Sequence, residues 1–277
     1  MKKTLRHFEE AHGGSKIAEM EKQLEAERKK VEALAEVQNK ISIEKSKDAH
    51  VRFGLIGCTH FGSLYHDGSG LDSFYKHLAT EGINVCYHGG DVLDGHKVYR
   101  GQEFELRDVG LNNQLSRLSN FNSQGVKTRF ITGNHDQVFK SLAGVAVGED
   151  IEAAHEDFEF LGEEQAAVEF RTPNGPYKLM LIHPGGGSSY AISYKSQKIV
   201  ESLEGGTKPN MLAIAHFHKA EFMPSYRNVA VIQTGTFQKQ TPFMARQGLA
   251  AHVGGWVIDI WKGKDNNIIK SEFVAFY

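Results

Sequence analysis

The sequence predicts an α/β protein, a sandwich of sheets and helices preceded by a charged N-terminal helix. Three observations carry that prediction. From residue 49 onward, short apolar runs alternate with amphipathic stretches, the pattern of strands exchanging with helices. Several of those runs end at a glycine, or directly at a His, with Cys, Asp, Asn or His close behind. Residues 1–48 have a different texture, rich in Glu, Lys and Ala, with Phe8 as their single aromatic. The chain therefore divides into 1–48, a charged helical segment, and 49–277, a folded domain.

In the first segment Gly13 and Gly14 make a break, and Ser15 is a candidate N-cap for a helix running to about residue 45. Ile17, Leu24 and Val31 repeat every seven residues. Met20, Leu34 and Ile41 fit the companion position, while Glu27 and Gln38 interrupt the seam. This is an imperfect coiled-coil pattern. Such a helix would pair two copies of the chain, bind a partner protein, or pack on its own domain. Next come strands over 51–56, 83–87 and 128–131, with helices over 71–80 and over 106–124 between them, the latter stopped by Gly125. A strand over 178–181, a helix over 194–203 ending at Gly205 and Gly206, and a strand over 211–214 follow. The C-terminal part reads as strands over 229–233, 256–260 and 268–276.

The bulk properties bound the function classes. With 277 residues, 40% hydrophobic and 24% charged, the chain can bury a full core without disulfides. Its net charge of −2 supplies no general attraction to nucleic acid, although a local basic groove is compatible with it. The only cysteines are Cys58 and Cys86, both in or beside strand-like runs, which fits a reducing compartment. No apolar run approaches 18 residues, and positive charge at the N-terminus is not followed by an apolar stretch. The expectation is a cytoplasmic protein with no membrane partner.

The chemistry concentrates in five short segments. They are Gly57-Cys58-Thr59-His60, Gly90-Asp91, Gly133-Asn134-His135-Asp136, His183-Pro184 and His216-Phe217-His218. Each follows an apolar run, and open α/β sheets place their sites in the loops beyond strand carboxyl ends. If those strands are neighbours, imidazoles, a carboxylate, an amide oxygen and a thiol converge. Mixed N/O donors of this kind suit Mn, Fe or Zn rather than Ca. Two such ions about 3.5–4 Å apart could generate a hydroxide and clamp the attacking and leaving oxygens at phosphorus. Gly57, Gly90 and Gly133 would let the backbone turn sharply beneath them. Singly each segment is weak, since a His near a strand end is commonly a core residue and Asn-His-Asp favours turns. Their joint order is specific.

That order, Gly-x-x-His, Gly-Asp, Gly-Asn-His-Asp, His and His-x-His, resembles the calcineurin-like metallophosphoesterase superfamily across residues 51–222 and onward. The motif style is nearest to the double-strand-break repair nuclease branch, and the chain looks like phosphoesterases carried by phages and prophages. The resemblance implies a four-layer α/β/β/α sandwich around two divalent metal ions. It implies that Cys58, His60, Asp91 and His218 hold the first ion. Asp91 would bridge, and Asn134, His183 and His216 would hold the second. It also implies that His135 sits near the scissile phosphate and that Asp136 orients the His135 ring.

One position departs from the pattern. The first motif ordinarily reads Asp-x-His, and here Cys58 takes the Asp position. A thiolate ligand there would favour softer ions such as Zn or Fe(II). Otherwise Cys58 is a small buried residue beside a weakened first site. Asp94 reads as an outer neighbour of the metals, and His88 as a core or loop residue. Arg100 and Arg107 are candidate phosphate contacts or surface charges. The loop from Pro184 to Tyr190 could offer amide groups to a phosphate, or could be a plain turn. Tyr190, Tyr194, Lys195 and Lys198 form an aromatic and basic patch of the kind that contacts a nucleic acid strand.

The function expected is hydrolysis of a phosphodiester, in DNA or another nucleic acid, by a two-metal hydroxide mechanism. The alternatives are a small nucleotide or phosphomonoester substrate, or a degenerate binding protein. A protein phosphatase fits less well, because the arginine-bearing motifs of that branch are missing.

Overall fold

The structure, a computed structural model, describes residues 41–206 and 208–277. The expected N-terminal helix therefore lies outside the described residues except at its last positions. There the expectation fails. Ile41–Lys45 is strand β1, parallel to β6 (Gln165–Thr172), with Ile41 opposite Ala167. The Ile-Ser-Ile-Glu sequence satisfies a two-residue period as well as a heptad position, and β-branched residues favour the strand.

Among the described residues the other strands are β2 (His50–Ile56), β3 (Val85–His88), β4 (Lys127–Thr132), β5 (Phe158–Glu163), β7 (Gly175–Ile182) and β8 (Met211–Ile214). They are followed by β9 (Ala220–Tyr226), β10 (Val229–Thr234), β11 (Gly254–Lys262) and β12 (Asn267–Ala275). Two six-stranded sheets result, in the orders β12-β11-β2-β3-β4-β5 and β1-β6-β7-β8-β10-β9. The helices are α1 (Gly68–Thr80), α2 (Leu111–Ser119), α3 (Asn134–Ala143), α4 (Val147–Ala154), α5 (Tyr194–Ser202) and α6 (Pro242–Arg246). None is long and apolar enough to cross a membrane.

Side-chain alternation sorts the strands into layers. Phe53 and Leu55 of β2 meet Val168, Leu179 and Ile232 of the other sheet in an inter-sheet core. Ile56, one residue on, faces the opposite way and packs with Leu71, Phe74 and Leu78 of α1. In the second sheet Met211 and Ala213 join the inter-sheet core, while Leu212 and Ile214 pack with Val200 of α5. Three apolar cores separate four layers, α/β/β/α, as the sequence implies. Each fully buried Leu or Ile contributes about 1.5–3 kcal/mol relative to exposure, so a charge at Leu55 or Leu179 would open the sandwich.

The strands that carry the expected site run alike. β2, β3 and β4 are mutually parallel neighbours, and so are β7 and β8. Their carboxyl ends therefore lie on one edge of each sheet. The expected helix over 106–124 is shorter than its polar pattern suggests, because Gly110 at φ 85 breaks the chain before Leu111. Strands β5, β6 and β9 and helices α3, α4 and α6 are not among the expected elements, although β6 alternates Ala166, Val168 and Phe170 inward with Glu169 and Arg171 outward, and α3 starts inside the turn-like Asn-His-Asp.

Candidate metal centre

All seven expected ligands come together at this edge. Cys58 and His60 follow β2, Asp91 follows β3, Asn134 opens α3 directly after β4, His183 follows β7, and His216 and His218 follow β8. The backbone there is unusual. Cys58 (φ 54), His60 (φ 50), Asp91 (φ 55), His216 (φ 78) and His218 (φ 54) all occupy the left-handed region. For non-glycine residues that costs roughly 1–2 kcal/mol each. Strain shared by five expected ligands, on three separate loops, is the signature of a site that places side chains at the expense of backbone comfort.

Hydrogen bonds hold these loops in place. Cys58 N–H donates to Gly90 O at 2.9 Å, and His60 N–H to Asp91 O at 3.1 Å. Beneath them the buried His88 accepts from Gly90 N–H at 3.1 Å and meets the Thr59 hydroxyl at 3.0 Å. Burial pushes the His88 pKa down to about 3, so its ring is neutral, a core role as expected. Gly90 (φ 96) supplies the turn. Gly133 serves differently from expectation: its backbone is extended, and a side chain there would collide with the Asp91 carboxylate.

Ring protons are already committed elsewhere. His60 Nδ1 pairs with Asp94 Oδ1 at 3.0 Å, His183 Nδ1 with Gly89 O at 2.8 Å, and His216 Nε2 with Gly186 O at 2.7 Å. These acceptors fix the tautomers and leave His60 Nε2, His183 Nε2 and His216 Nδ1 with lone pairs. Around His183 Nε2 lie Asp91 Oδ2 at 3.1 Å, Asn134 Oδ1 at 3.1 Å and His216 Nδ1 at 3.2 Å. Four acceptor atoms facing one another repel unless a cation or proton stands among them. A second group adjoins it: Cys58, His60 and His218 present ligand atoms within 4.8 Å of one another, with His60 Nε2 3.1 Å from His218 Nε2. His218 Nδ1 is buried without a partner. Asp91 Oδ2, 3.9 Å from His60 Nε2 and 3.1 Å from His183 Nε2, lies between the groups.

Charge follows the same plan. Burial, then mutual repulsion among the imidazoles, holds His60 and His218 well below the ordinary histidine pKa and lowers His216. Burial works against the charge of Asp91, but His183, His135 and His60 outweigh it and keep the carboxylate ionised. Burial also opposes a charged His183, and Asp91 raises its pKa nonetheless. Burial, then Asp91, pushes the Cys58 thiol well up. Its sulfur accepts from His216 N–H at 3.2 Å, and a cation would have to displace its proton. The donor set fits divalent ions of the Mn, Fe or Zn kind.

One expected role is corrected. The Asp136 carboxylate does not touch the His135 ring. It accepts from the backbone N–H groups of Leu93 at 2.7 Å, Gly133 at 2.8 Å and Val92 at 3.2 Å, latching the loop after β3 to the start of α3. Position three of a helix turns its side chain back toward the free amides of the first turn, which competes successfully for a carboxylate. Burial, then the neighbouring Asp91, raises Asp136 to about 7. His135 is oriented instead by Asp94: its Nδ1 donates to Asp94 O at 2.6 Å, with Asp94 Oδ1 3.8 Å away. Asp94 thus positions both His60 and His135, and is itself held by Gln238 Nε2 at 3.1 Å. No sequence signal marks Gln238.

His60, Asp91, Asn134, His216 and His218 floor a cleft of about 610 Å³, with Cys58 and His183 buried outside its lining. Tyr99 and Phe243 form part of its wall, their rings stacked 4.5 Å apart. Arg100 and Arg107 are exposed and do not line it.

No protein-family description matches the chain, and no curated protein matches it. Solved structures do. A conserved uncharacterized protein from Streptococcus pneumoniae TIGR4, a predicted phosphoesterase, is 10% identical over 81% of this chain and 98% of its own, with a TM-score of 0.39. Vps29 from Chaetomium thermophilum is 12% identical over 81% of this chain and 96% of its own (TM-score 0.42). Wild-type Vps29 from Entamoeba histolytica, complexed with Zn, is 11% identical over 82% of this chain and 100% of its own (TM-score 0.39). At this level of likeness the functional reading rests on the geometry of the chain itself.

Proposed function

We propose that this protein is a metal-dependent phosphoesterase that hydrolyses a phosphodiester. The observation that carries the reading is the acceptor-only cluster around His183 Nε2, continuous through Asp91 with the cluster of Cys58, His60 and His218. His60, His218, Asp91 and Cys58 would hold one ion, and Asp91, Asn134, His183 and His216 a second. Bound ions would supply a nucleophile at neutral pH and charge stabilisation at phosphorus.

The chain's own residues do the rest. His135 lines the cleft with Nδ1 committed to Asp94 O, which leaves Nε2 to serve the substrate. Hydrolysis forms a bond from a water oxygen to phosphorus and breaks the bond to the leaving oxygen, which keeps the electron pair. His135 gives that oxygen a proton from Nε2 and recovers one from the attacking water. The backbone N–H of His135, in the first turn of α3, donates to Asp91 Oδ1 at 2.9 Å and so fixes the carboxylate.

A nucleic acid substrate is supported by the exposed Tyr190 and Tyr194 and by Lys195, whose Nζ stands beside Gly186 at the rim. Lys198 adds little, being paired with Glu201 at 2.8 Å. The small-substrate alternative is favoured by the cleft, whose described lining contains neither Lys nor Arg. A degenerate binding protein is the weaker reading, because thiol, carboxylate, amide and imidazole donors lie within reach of one another. The test is hydrolysis of bis(p-nitrophenyl) phosphate by protein loaded with Mn, Zn or Fe(II), beside His135→Ala. Metal-dependent turnover lost in that variant supports the proposal. A folded, metal-loaded protein without turnover on this diester contradicts it.

A further inference from the structure

The wall of the cleft differs chemically from its floor. Tyr99 lies on the loop after β3, with its hydroxyl donating to Glu105 Oε2 at 2.7 Å, which pins the ring. One side of the ring stacks on Phe243 of α6 at 4.5 Å and 27°, and it also approaches the His135 ring at 6.3 Å. Thr241 caps α6 by accepting from Met244 N–H at 3.2 Å, and Pro242 begins the helix, so the short element is locally specified. Val98, Met244 and Leu249 continue the apolar surface, and Gln247 sits exposed at its edge. The half-buried Phe243 is thus held, through its stack on Tyr99, in the wall of the cleft that His135 also lines.

The size and charge of this space restrict what enters. A cleft of about 610 Å³ is of small-molecule dimensions. A nucleic acid strand would require cations tracking successive phosphates, and no Lys or Arg is among the described lining residues. One phosphoryl group can be met on the floor, while a flat ring matches the aromatic and thioether surface of Tyr99, Phe243 and Met244.

Resting on the phosphoesterase reading, we propose that the cleft selects a compact phosphoester bearing a flat aromatic group, with Tyr99 and Phe243 as its specificity-determining residues. The bond changes are those given above: water adds to phosphorus, and the ester oxygen leaves as an alcohol with the proton from His135, which recovers one from the water. The aromatic group lies on the wall and the phosphoryl group on the floor.

The experiment compares bis(p-nitrophenyl) phosphate with methyl p-nitrophenyl phosphate, which share a leaving group and differ in the group retained. Metal-loaded wild type should show the lower KM for the aryl diester. Phe243→Ala, and independently Phe243→Leu, which keeps apolar volume but removes the flat face, should reduce that preference about tenfold. Binding is read separately by calorimetry with phenylphosphonate and methylphosphonate, which are not hydrolysed, and folding by thermal melts. Selective binding of the phenyl compound, weakened in both variants, supports the aromatic wall even if no diester is turned over, in which case the hydrolytic reading alone fails. Turnover with equal KM for both diesters and equal binding of both phosphonates overturns the inference while leaving hydrolysis intact. Competition by a ten-residue oligothymidylate that outmatches phenylphosphonate, with a steep salt dependence, also overturns it.

Discussion

The floor of the cleft gathers ligands from five strand ends, with strained backbone at three of them, whereas its wall comes from a loop and a five-residue helix with ordinary packing. On the floor, position is fixed by backbone hydrogen bonds between loops, and the side chains are short, polar and interdependent. On the wall, rings touch through dispersion, and each residue can be exchanged with limited effect on its neighbours. The two regions should therefore separate experimentally. Substitutions of the expected ligands should alter metal content and rate, and wall substitutions should alter substrate preference.

The largest separation is expected at Asp91, the carboxylate shared by both ligand groups. Asp91→Ala should reduce metal-dependent hydrolysis by ~1000-fold or more and lower the metal content measured by elemental mass spectrometry. Phe243→Ala should leave that content at the wild-type level. Metal loss in both variants would erase the distinction. His135→Ala should cost ~100–1000-fold in kcat with metal content intact. Loss of metal in this variant would make His135 a ligand rather than an acid.

Asp136→Ala sharpens the comparison inside the floor. Because the carboxylate braces three backbone amides, its loss should lower the melting temperature by several degrees, about 2–4 °C for each kcal/mol. The kcat per folded molecule should change by less than about tenfold. An unchanged melt with a hundredfold lower kcat would restore the orienting role that the sequence suggests. Cys58→Asp should retain activity and move metal preference toward Mn. Identical metal preference and occupancy in both proteins would show that Cys58 is not a ligand.

The smallest effect concerns acid stability of the metal-free protein. Burial pushes His88 down to about 3 in the folded chain, against an ordinary 6.5. Between those values the unfolded chain binds a proton that the folded chain refuses, so stability present above pH 6.5 is lost as pH falls toward 3. Asp136, raised to about 7, and Asp94, raised to about 6, act oppositely over the upper part of that window. His88→Gln removes one acid-labile group and should shift the midpoint of acid unfolding downward, as followed by circular dichroism. An unchanged or higher midpoint would show that His88 does not contribute.

Much of the floor is legible in the sequence because strand ends and ligand types are both local signals. A glycine after an apolar run marks the turn, and His, Asp, Asn and Cys mark the chemistry. What was not legible depends on three-dimensional competition. Nothing in Asn134-His135-Asp136 reveals that the amides of Val92 and Leu93 would capture Asp136 and leave His135 to Asp94. The left-handed ligands are equally silent, since Cys58 has no intrinsic taste for that conformation and the enrichment of His and Asp in it is too weak to single out His60, Asp91, His216 or His218. The wall is invisible for a different reason: Tyr99 and Phe243 lie far apart in sequence, and each alone reads as an ordinary aromatic. In the fold, the strand β1 at Ile41–Lys45 was hidden by an isoleucine spacing that serves helix and strand alike.

The most direct test of the central claim is metal stoichiometry. Wild-type protein, loaded with Zn or Mn and dialysed, should retain about two ions per chain. Asp91→Ala should retain fewer than one, and Phe243→Ala about two. Retention of no ion by the wild type, or equal retention by wild type and Asp91→Ala, would contradict a metal centre built on this floor.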